Sequence, residues 1–322
     1  MRRAIELARG VRAETSPNPW VGCVVVSADG ALVGEGATAP PPGAHAEASA
    51  LVAAGERARG GTAVVTLEPC SHRGRTPPCA DSLIEAGIAR VVVATADPDP
   101  RVSGSGCERL RRAGVEVRLG LFEEEARALL RPYIVHRTTG RPFVVLKLAV
   151  TLDGRLAAPD RSSRWITGEA ARADVQRLRA ESDAVMVGAG TVRSDDPELT
   201  ARTEPGPTRQ PWRVVLGRAP AGARVLPALE ISGDLRGVLD ELGRRDVLQL
   251  LVEGGAHVAG ELHRLGLVDR YVIYLAPAML GGEDGVPMFA GRGAATMANV
   301  WRGRFVGVTP LGADLRLDVE PA

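Results

Sequence analysis

The sequence predicts an α/β protein built as two consecutive domains, residues 1–139 and 140–322. Three observations carry that expectation. At 322 residues the chain is too long for one small core and long enough for two ordinary ones. Short β-branched apolar runs alternate with segments of helical period, the pattern of a sheet covered by helices. The alternation stops at Thr138-Thr139-Gly140-Arg141-Pro142, a linker-like stretch, and then starts again.

The elements follow in order. Over residues 1–14, Ile5, Leu7 and Val11 recur at helical spacing among charges, so the chain opens on a short amphipathic helix and not on a signal peptide with an unbroken apolar core. Segments 21–27 and 31–36 form a strand pair turning at Ala28-Asp29-Gly30. An alanine-rich helix runs from His45 to about residue 58, and 62–67, bounded by Gly61 and Pro69, is a buried strand. Helical spacing resumes over 79–86 and stops at Gly87. Strands at 90–95 and 115–119 flank a helix at 106–113, and a charged helix over 122–133 leads out. The second half begins with strand 143–150, helix 168–181 and strand 184–187, which enters the turn Gly188-Ala189-Gly190. Strand 212–216, helix 235–243 and strand 248–253 follow, the last opening into Gly254-Gly255 and a helix to residue 265. Strands at 271–276, 304–310 and 315–320 close the chain.

Composition excludes several classes. A formal net charge of +1 leaves no electrostatic footprint for nucleic acid or an anionic membrane, so the expected partner is a small molecule. No apolar run has the length of a membrane span. Cys23, Cys70, Cys79 and Cys107 are few for such a length, which points to a reducing compartment, the cytoplasm, and to metal ligation before disulfides. Lys147 is the only lysine among 40 basic residues, and Asn18 and Asn299 are the only asparagines. In a chain biased toward Arg, Ala and Gly, such survivors mark positions where the substitute cannot serve. Lysine is a compact donor whose pKa shifts, whereas arginine is a planar fork that stays charged.

The chemistry-bearing residues of the first half converge. His45-Ala46-Glu47 opens a helix, Pro69-Cys70 closes a strand, and Cys79 opens the next helix. Catalytic zinc takes three nitrogen or sulfur ligands and keeps a fourth place for water, whose pKa it lowers toward neutrality. Glu47, two residues from the histidine, would carry a proton from that water to a departing ring amine. Helix starts favour the thiolate form of Cys70 and Cys79. The arrangement matches the zinc-deaminase signature H-x-E…P-C-x-x-C, except that eight residues separate the cysteines. A zinc that only staples the fold would need a fourth protein ligand, Cys23 or His72, and would leave Glu47 without a purpose. Cys23 reads instead as a small core residue, and Cys107, His136, His257 and His263 as packing or surface residues.

In the second half, Lys147 interrupts the apolar run 143–150 and so faces a cleft, with Asp153-Gly154 at the strand's end. Two glycine-rich turns follow strands, Gly188-Ala189-Gly190-Thr191 and Glu253-Gly254-Gly255, and the second leads into a helix. Their exposed N–H groups suit a dinucleotide pyrophosphate, with Gly254 and Gly255 in contact. Neither turn fits G-x-G-x-x-G and no G-x-x-x-x-G-K-[ST] occurs, so on spacing alone an ordinary strand-to-helix turn competes.

The segment Cys70-Ser71-His72-Arg73-Gly74-Arg75-Thr76-Pro77-Pro78-Cys79 closely resembles the deaminase loop of the bifunctional riboflavin-biosynthesis deaminase/reductases. The likeness extends to Pro17-Asn18-Pro19-x-Val21-Gly22 and Glu68-Pro69-Cys70. In the second half it covers Lys147-Leu148-Ala149-x-Thr151-Leu152-Asp153-Gly154, Trp165-Ile166-Thr167, Arg177-x-Arg179-Ala180, Gly190-Thr191-Val192-x-x-Asp195-Asp196-Pro197-x-Leu199-Thr200 and Val252-Glu253-Gly254-Gly255. The resemblance implies a cytidine-deaminase-like three-layer first domain and a dihydrofolate-reductase-like second domain. It implies deamination of a phosphoribosylaminopyrimidine with Zn2+, then reduction of the ribosyl to a ribityl side chain with NADPH, in a homo-oligomer. Asn18 and His72 would meet the pyrimidine, and Arg73 and Arg75 a phosphate, whose oxygens suit guanidinium forks. Ala149, Trp165, Thr191, Asp195 and Gly255 would touch NADPH; Ser163, Arg179, Leu199, Arg202 and Glu253 would touch the substrate, Arg179 and Arg202 at its phosphate. Lys147 and Glu253 would polarise or protonate the reacting centre.

The chain departs from the family pattern at Thr38, where a histidine would meet the substrate, and at Gly217-Arg218, in place of an acidic and a small polar residue. Arg218 is read there as reaching the 2′-phosphate of NADPH. The first helix is a few residues shorter than the family's. Three rival functions remain at this level. A nucleic-acid-editing deaminase would need a basic groove and stacking aromatics, and aromatics are only 3% here. A zinc-stapled binding protein would unfold on chelation. A zinc deaminase of another small pyrimidine or purine would carry a silent second domain.

Overall fold

The computed structural model describes residues 1–12, 14–71, 77–99 and 102–322. The chain divides into two compact units, Met1–Gly140 and Arg141–Ala322.

In the first unit α1 (Arg2–Gly10) precedes the hairpin of β1 (Gly22–Val26) and β2 (Leu32–Ala37). Then come α2 (Ala46–Ala54), β3 (Thr62–Leu67), α3 (Cys79–Glu85), β4 (Arg90–Thr95), α4 (Ser105–Arg112), β5 (Glu116–Leu119), α5 (Glu123–Leu129) and α6 (Arg131–Thr139). The strand order is β2-β1-β3-β4-β5, with β1 antiparallel to both neighbours and β3, β4 and β5 parallel. Side chains alternate between faces along a strand, and cross-strand partners share a face. Gly22 of β1 faces α1. On the opposite face Cys23 pairs with Gly36, and there α2 comes close: a Cβ on Gly34 or Gly36 would stand 2.2 or 2.3 Å from the carbonyl oxygens of Ala50 and Ala46. The two helices therefore cover opposite faces, and the sheet is the middle of three layers. Small buried residues of α2, Ala46, Ala50 and Ala54, make the close approach possible.

Two helix boundaries differ from the sequence reading. The alanine-rich helix ends at Ala54, because Gly55 takes φ +54° and only a 3₁₀ turn, Gly55–Ala58, continues it. The charged helix expected over 122–133 is two helices, since Pro132 lacks an N–H and sits at the start of α6 instead of inside α5. Helix α6 runs on through Thr138 and Thr139, which the sequence reading places in a linker, and is closed by Gly140 at φ 76°.

The second unit contains β6 (Phe143–Thr151), β7 (Arg155–Ala157), α7 (Glu169–Ala180), β8 (Ala184–Gly188), α8 (Ala189–Asp195), β9 (Trp212–Leu216), β10 (Leu229–Ile231), α9 (Leu235–Arg244) and β11 (Gln249–Val252). It continues through α10 (Ala256–Arg264), β12 (Arg270–Ala276), β13 (Val286–Pro287), β14 (Gly303–Leu311) and β15 (Asp314–Pro321). The main sheet runs β10-β9-β8-β11-β6-β12-β15-β14, parallel as far as β12 and antiparallel after it. β6 lies inside this sheet, as its apolar run predicts. Val144, Leu146, Leu148 and Val150 share one face and join the core made with Leu235, Val238, Leu239 and Leu242 of α9 and Ala259 and Leu262 of α10. Lys147 and Ala149 fall on the other face by alternation. The turn expected at Gly188-Ala189-Gly190 is the start of α8. That helix and β7, β10 and β13 are too short to show a period in the sequence.

Candidate functional sites

The first unit brings His45, Cys70 and Cys79 together. His45 caps α2, Cys70 lies just past β3, and Cys79 is the first residue of α3. Their ligand atoms all lie within 4.8 Å of one another, the one such metal-competent group among the described residues. His45 Nδ1 is 3.3 Å from Cys79 Sγ and 3.7 Å from Cys70 Sγ. Zinc bound at its usual distances to nitrogen and sulfur in a tetrahedron has N···S edges of about 3.6 Å, so the donor set fits the metal. Cys70 Sγ also accepts the backbone N–H of Cys79 at 3.3 Å, and its carbonyl accepts that of Ala80 at 3.1 Å. The start of α3 thus seats itself on Cys70. Their mutual interaction drives the two thiols apart: Cys70 is held below the usual thiol range by Cys79, with burial opposing and His45 assisting, while Cys79 is pushed up. His45 is raised in turn by its bond with Cys70.

Glu47, in the first turn of α2, is 4% exposed, and burial pushes its carboxyl up to about 7. Cys23 is fully buried in β1 and lies outside the cluster, as a core residue should. Thr38 is buried, and its hydroxyl accepts the Val21 N–H at 3.1 Å, closing the β1–β2 ladder. Asn18 sits half-buried in a turn in which its N–H reaches the Thr15 carbonyl at 2.8 Å. His72, Arg73 and Arg75 lie outside the described residues.

In the second unit Lys147, Arg179 and Glu253 meet. Glu253 follows β11, with its N–H on the Met186 carbonyl. Arg179, on α7, grips its carboxylate with Nε and an Nη at 2.6 and 3.0 Å, and its other Nη donates to the Thr200 carbonyl at 3.1 Å. Lys147 Nζ stands 3.7 Å from the same carboxylate. Burial alone would raise the Glu253 pKa; the Arg179 and Lys147 charges hold it below the usual carboxylate range. This acid is ionised at neutral pH.

The remaining residues of this half lie as follows. Gly255 caps α10, and a Cβ there would stand 3.4 Å from the Thr191 hydroxyl of α8. The Arg164 guanidinium, carried between Ser163 and Trp165 in the chain, donates to the Asp195 carbonyl at the end of α8 at 2.8 Å. Trp165 is 69% exposed, with the Arg172 guanidinium 4.4 Å from its ring centre. Ala149 is two residues past Lys147 on the same face of β6. Leu199 is 1% exposed. Arg202 donates to Glu198 at 2.7 Å and to the Thr200 hydroxyl at 3.1 Å. Arg218 is exposed beyond β9.

Sequence reasoning gave no role to Glu68, whose buried carboxylate accepts four backbone N–H groups beside the metal cluster. The signal available was a glutamate directly before Pro69-Cys70.

Comparison with known proteins agrees with this geometry. Residues 1–95 match the cytidine and deoxycytidylate deaminase zinc-binding region, and residues 142–317 match the RibD C-terminal domain. The chain is 44% identical to the riboflavin biosynthesis protein RibD of Mycobacterium tuberculosis, across 99% of this chain and 96% of that one. Among solved structures, Acinetobacter baumannii RibD superposes with a TM-score of 0.94 at 39% identity, covering 100% of this chain and 97% of that one. The diaminohydroxyphosphoribosylaminopyrimidine deaminase/5-amino-6-(5-phosphoribosylamino)uracil reductase of Thermotoga maritima gives 0.90 at 37% identity with the same coverage.

Proposed function

The chain belongs to the RibD family of bifunctional riboflavin-biosynthesis enzymes, and on that premise we propose which of its residues perform each reaction. It is a zinc-dependent deaminase joined to an NADPH-dependent reductase. We assign the deaminase to residues 1–139 and the reductase to 140–322. The substrates are those in the Thermotoga enzyme's name, taken in turn. The ring amine of the diaminopyrimidine is exchanged for oxygen, and the ribosyl chain of the resulting uracil is then reduced to ribityl.

One observation carries the deaminase reading: three converging ligands with a buried carboxyl at their side. His45, Cys70 and Cys79 hold the zinc, which when bound supplies an activated water. Glu47 would move a proton from the attacking water to the departing amine nitrogen, a task suited to a carboxyl whose pKa lies near neutrality. Asn18 and His72 would hold the pyrimidine edge, and Arg73 and Arg75 the phosphate.

In the reductase, NADPH supplies a hydride when bound. Ala149, Trp165, Thr191, Asp195, Gly254 and Gly255 would hold it, and Ser163, Leu199 and Arg202 would hold the substrate. Glu253 is already ionised and gripped by Arg179, so the proton donor is Lys147: its Nζ protonates the sugar oxygen released as the ring opens. Arg179 then serves chiefly to orient Glu253, and the phosphate falls to Arg202.

No described helix is long and apolar enough to cross a membrane. We place the enzyme in the cytoplasm, without a nucleic-acid partner, as a homo-oligomer. β14 favours self-association: it is an edge strand of nine residues with Phe305 68% and Val308 56% exposed, a template for pairing with a second copy.

The test is incubation of the purified chain with the diaminopyrimidine substrate, with and without NADPH, followed by mass spectrometry. Exchange of amine for oxygen without cofactor, and addition of two hydrogens with it, is the expected result. Amine loss alone would overturn the roles given to Lys147 and Glu253.

A further inference from the structure

We propose that Glu68 is a positioning residue of the zinc site, holding the Cys70 thiolate in ligating geometry by clamping the end of β3 to the start of α4. The inference rests on the reading of His45, Cys70 and Cys79 as the zinc ligands.

Glu68 lies between β3 and Cys70 and is 5% exposed. Its Oε1 accepts the N–H groups of Gly106 and Cys107 at 2.9 and 3.1 Å, and its Oε2 those of Gly104 and Asp97 at 2.9 and 3.1 Å. Gly106 and Cys107 are in the first turn of α4, whose N–H groups have no partner within the helix. The carboxylate therefore caps a helix from a different part of the chain. The joint is close-packed as well, since a Cβ on Gly106 would stand 1.9 Å from the Pro69 carbonyl oxygen. One residue beyond Cys70, the Ser71 hydroxyl meets that of Ser105 at 2.7 Å. Arg109 of α4 reaches Asp81 of α3 at 2.9 Å.

α4 is thereby tied to both segments that carry the thiols, on either side of Cys70 and one turn from Cys79. The metal geometry needs the two sulfurs fixed within tenths of an ångström, and neither strand nor helix end does so alone. A carboxylate acting on a ligand through the backbone has the same effect as the outer partners that orient metal-bound histidines.

The discriminating variant is Glu68→Gln in the full chain. Whichever way its amide turns, the NH2 faces two N–H donors, so the clamp opens on one side with almost no change of volume. Zinc affinity, measured by competition with a chromogenic chelator, should fall by about ten- to a hundredfold. The absorption bands of the Co2+-substituted protein should shift, and deaminase kcat should drop more than KM rises. Reductase activity of the same molecule, which Glu68 does not serve, should stay unchanged, and a retained cooperative melting transition of the first unit certifies that the deaminase half has folded. Glu68→Asp keeps both oxygens and should recover part of the zinc affinity. Affinity within about twofold of the parent and an unshifted cobalt spectrum would overturn the proposal, whatever the melting temperature does. If E68Q does not fold, E68D decides by the same readouts. Cys70→Ser separates the two readings: if it abolishes zinc binding while E68Q does not, only the positioning role falls, and if the parent binds no zinc both fall.

Discussion

Glu47 and Glu253 are both buried carboxyls, and their surroundings drive them in opposite directions. Among the described residues no arginine acts on Glu47, so burial dominates and lifts it to about 7. Glu253 has Arg179 and Lys147, and their charges outweigh burial. One acid is thereby suited to passing a proton and the other to holding a charge. Glu47→Gln should lower deamination by about 10²- to 10⁴-fold, with zinc content and reductase activity unchanged, read by product formation and metal analysis. Lys147→Met should lower reduction by at least about 10²-fold. Lys147→Arg should not restore it, because a planar fork that never gives up its charge cannot replace a compact proton donor. Glu253→Gln leaves two partly buried cations without their partner and should cost up to about 3–5 kcal/mol in unfolding measurements. The lone lysine was visible in the sequence as an anomaly. Its partners were not, because Arg179 and Glu253 are 74 positions apart and meet only across α7 and the end of β11.

At the scale of elements, the deaminase site depends on how closely α2 approaches the sheet. The helix carries His45 and Glu47 at its start, where Gly36 of β2 touches the Ala46 carbonyl. Gly36→Val must push that turn away; overpacking of this kind costs about 1–3 kcal/mol. The expected outcome is a lower melting temperature for the first unit, weaker zinc binding, and reduction that continues. In the second unit Asp183 does similar work for strands. Its Oδ2 accepts the N–H groups of Leu248 and Gln249, both at 2.9 Å, and Arg209 pairs with Oδ1 at 2.5 Å. Strands β6, β8, β11 and β12 were all expected from their apolar runs. α8 was not, since glycines at its start imitate a plain turn, and Pro132 breaks a helix that charge pattern alone presents as continuous.

For the molecule as a whole, two units with separate cores carry two separable chemistries. Chelation of zinc should remove deamination while reduction persists, and a first unit that stays folded in the chelated sample, read by its melting transition, would exclude a metal that only staples the fold. Acid should act mainly through the second unit. Asp174, opposed by burial but held by the Tyr274 hydroxyl and Arg316, has a pKa below the usual range, as has Glu253. A lowered native value means that the unfolded chain binds protons first, so each group adds stability above its unfolded pKa, and this is lost as pH falls through the native one. The melting temperature should therefore decline below about pH 4, and Glu253→Gln should flatten the decline. By itself the sequence determined the class and the two-domain order, and it singled out the converging His45, Cys70 and Cys79 and proposed Glu47 beside them, because short motifs carry those residues and the chemistry demands their types. Only the tertiary structure placed Arg179 and Lys147 on Glu253, spent Thr38 on a backbone bond, and set Glu68 as the cap of a distant helix. Each of these depends on burial and on partners far away in the chain, and periodicity records neither.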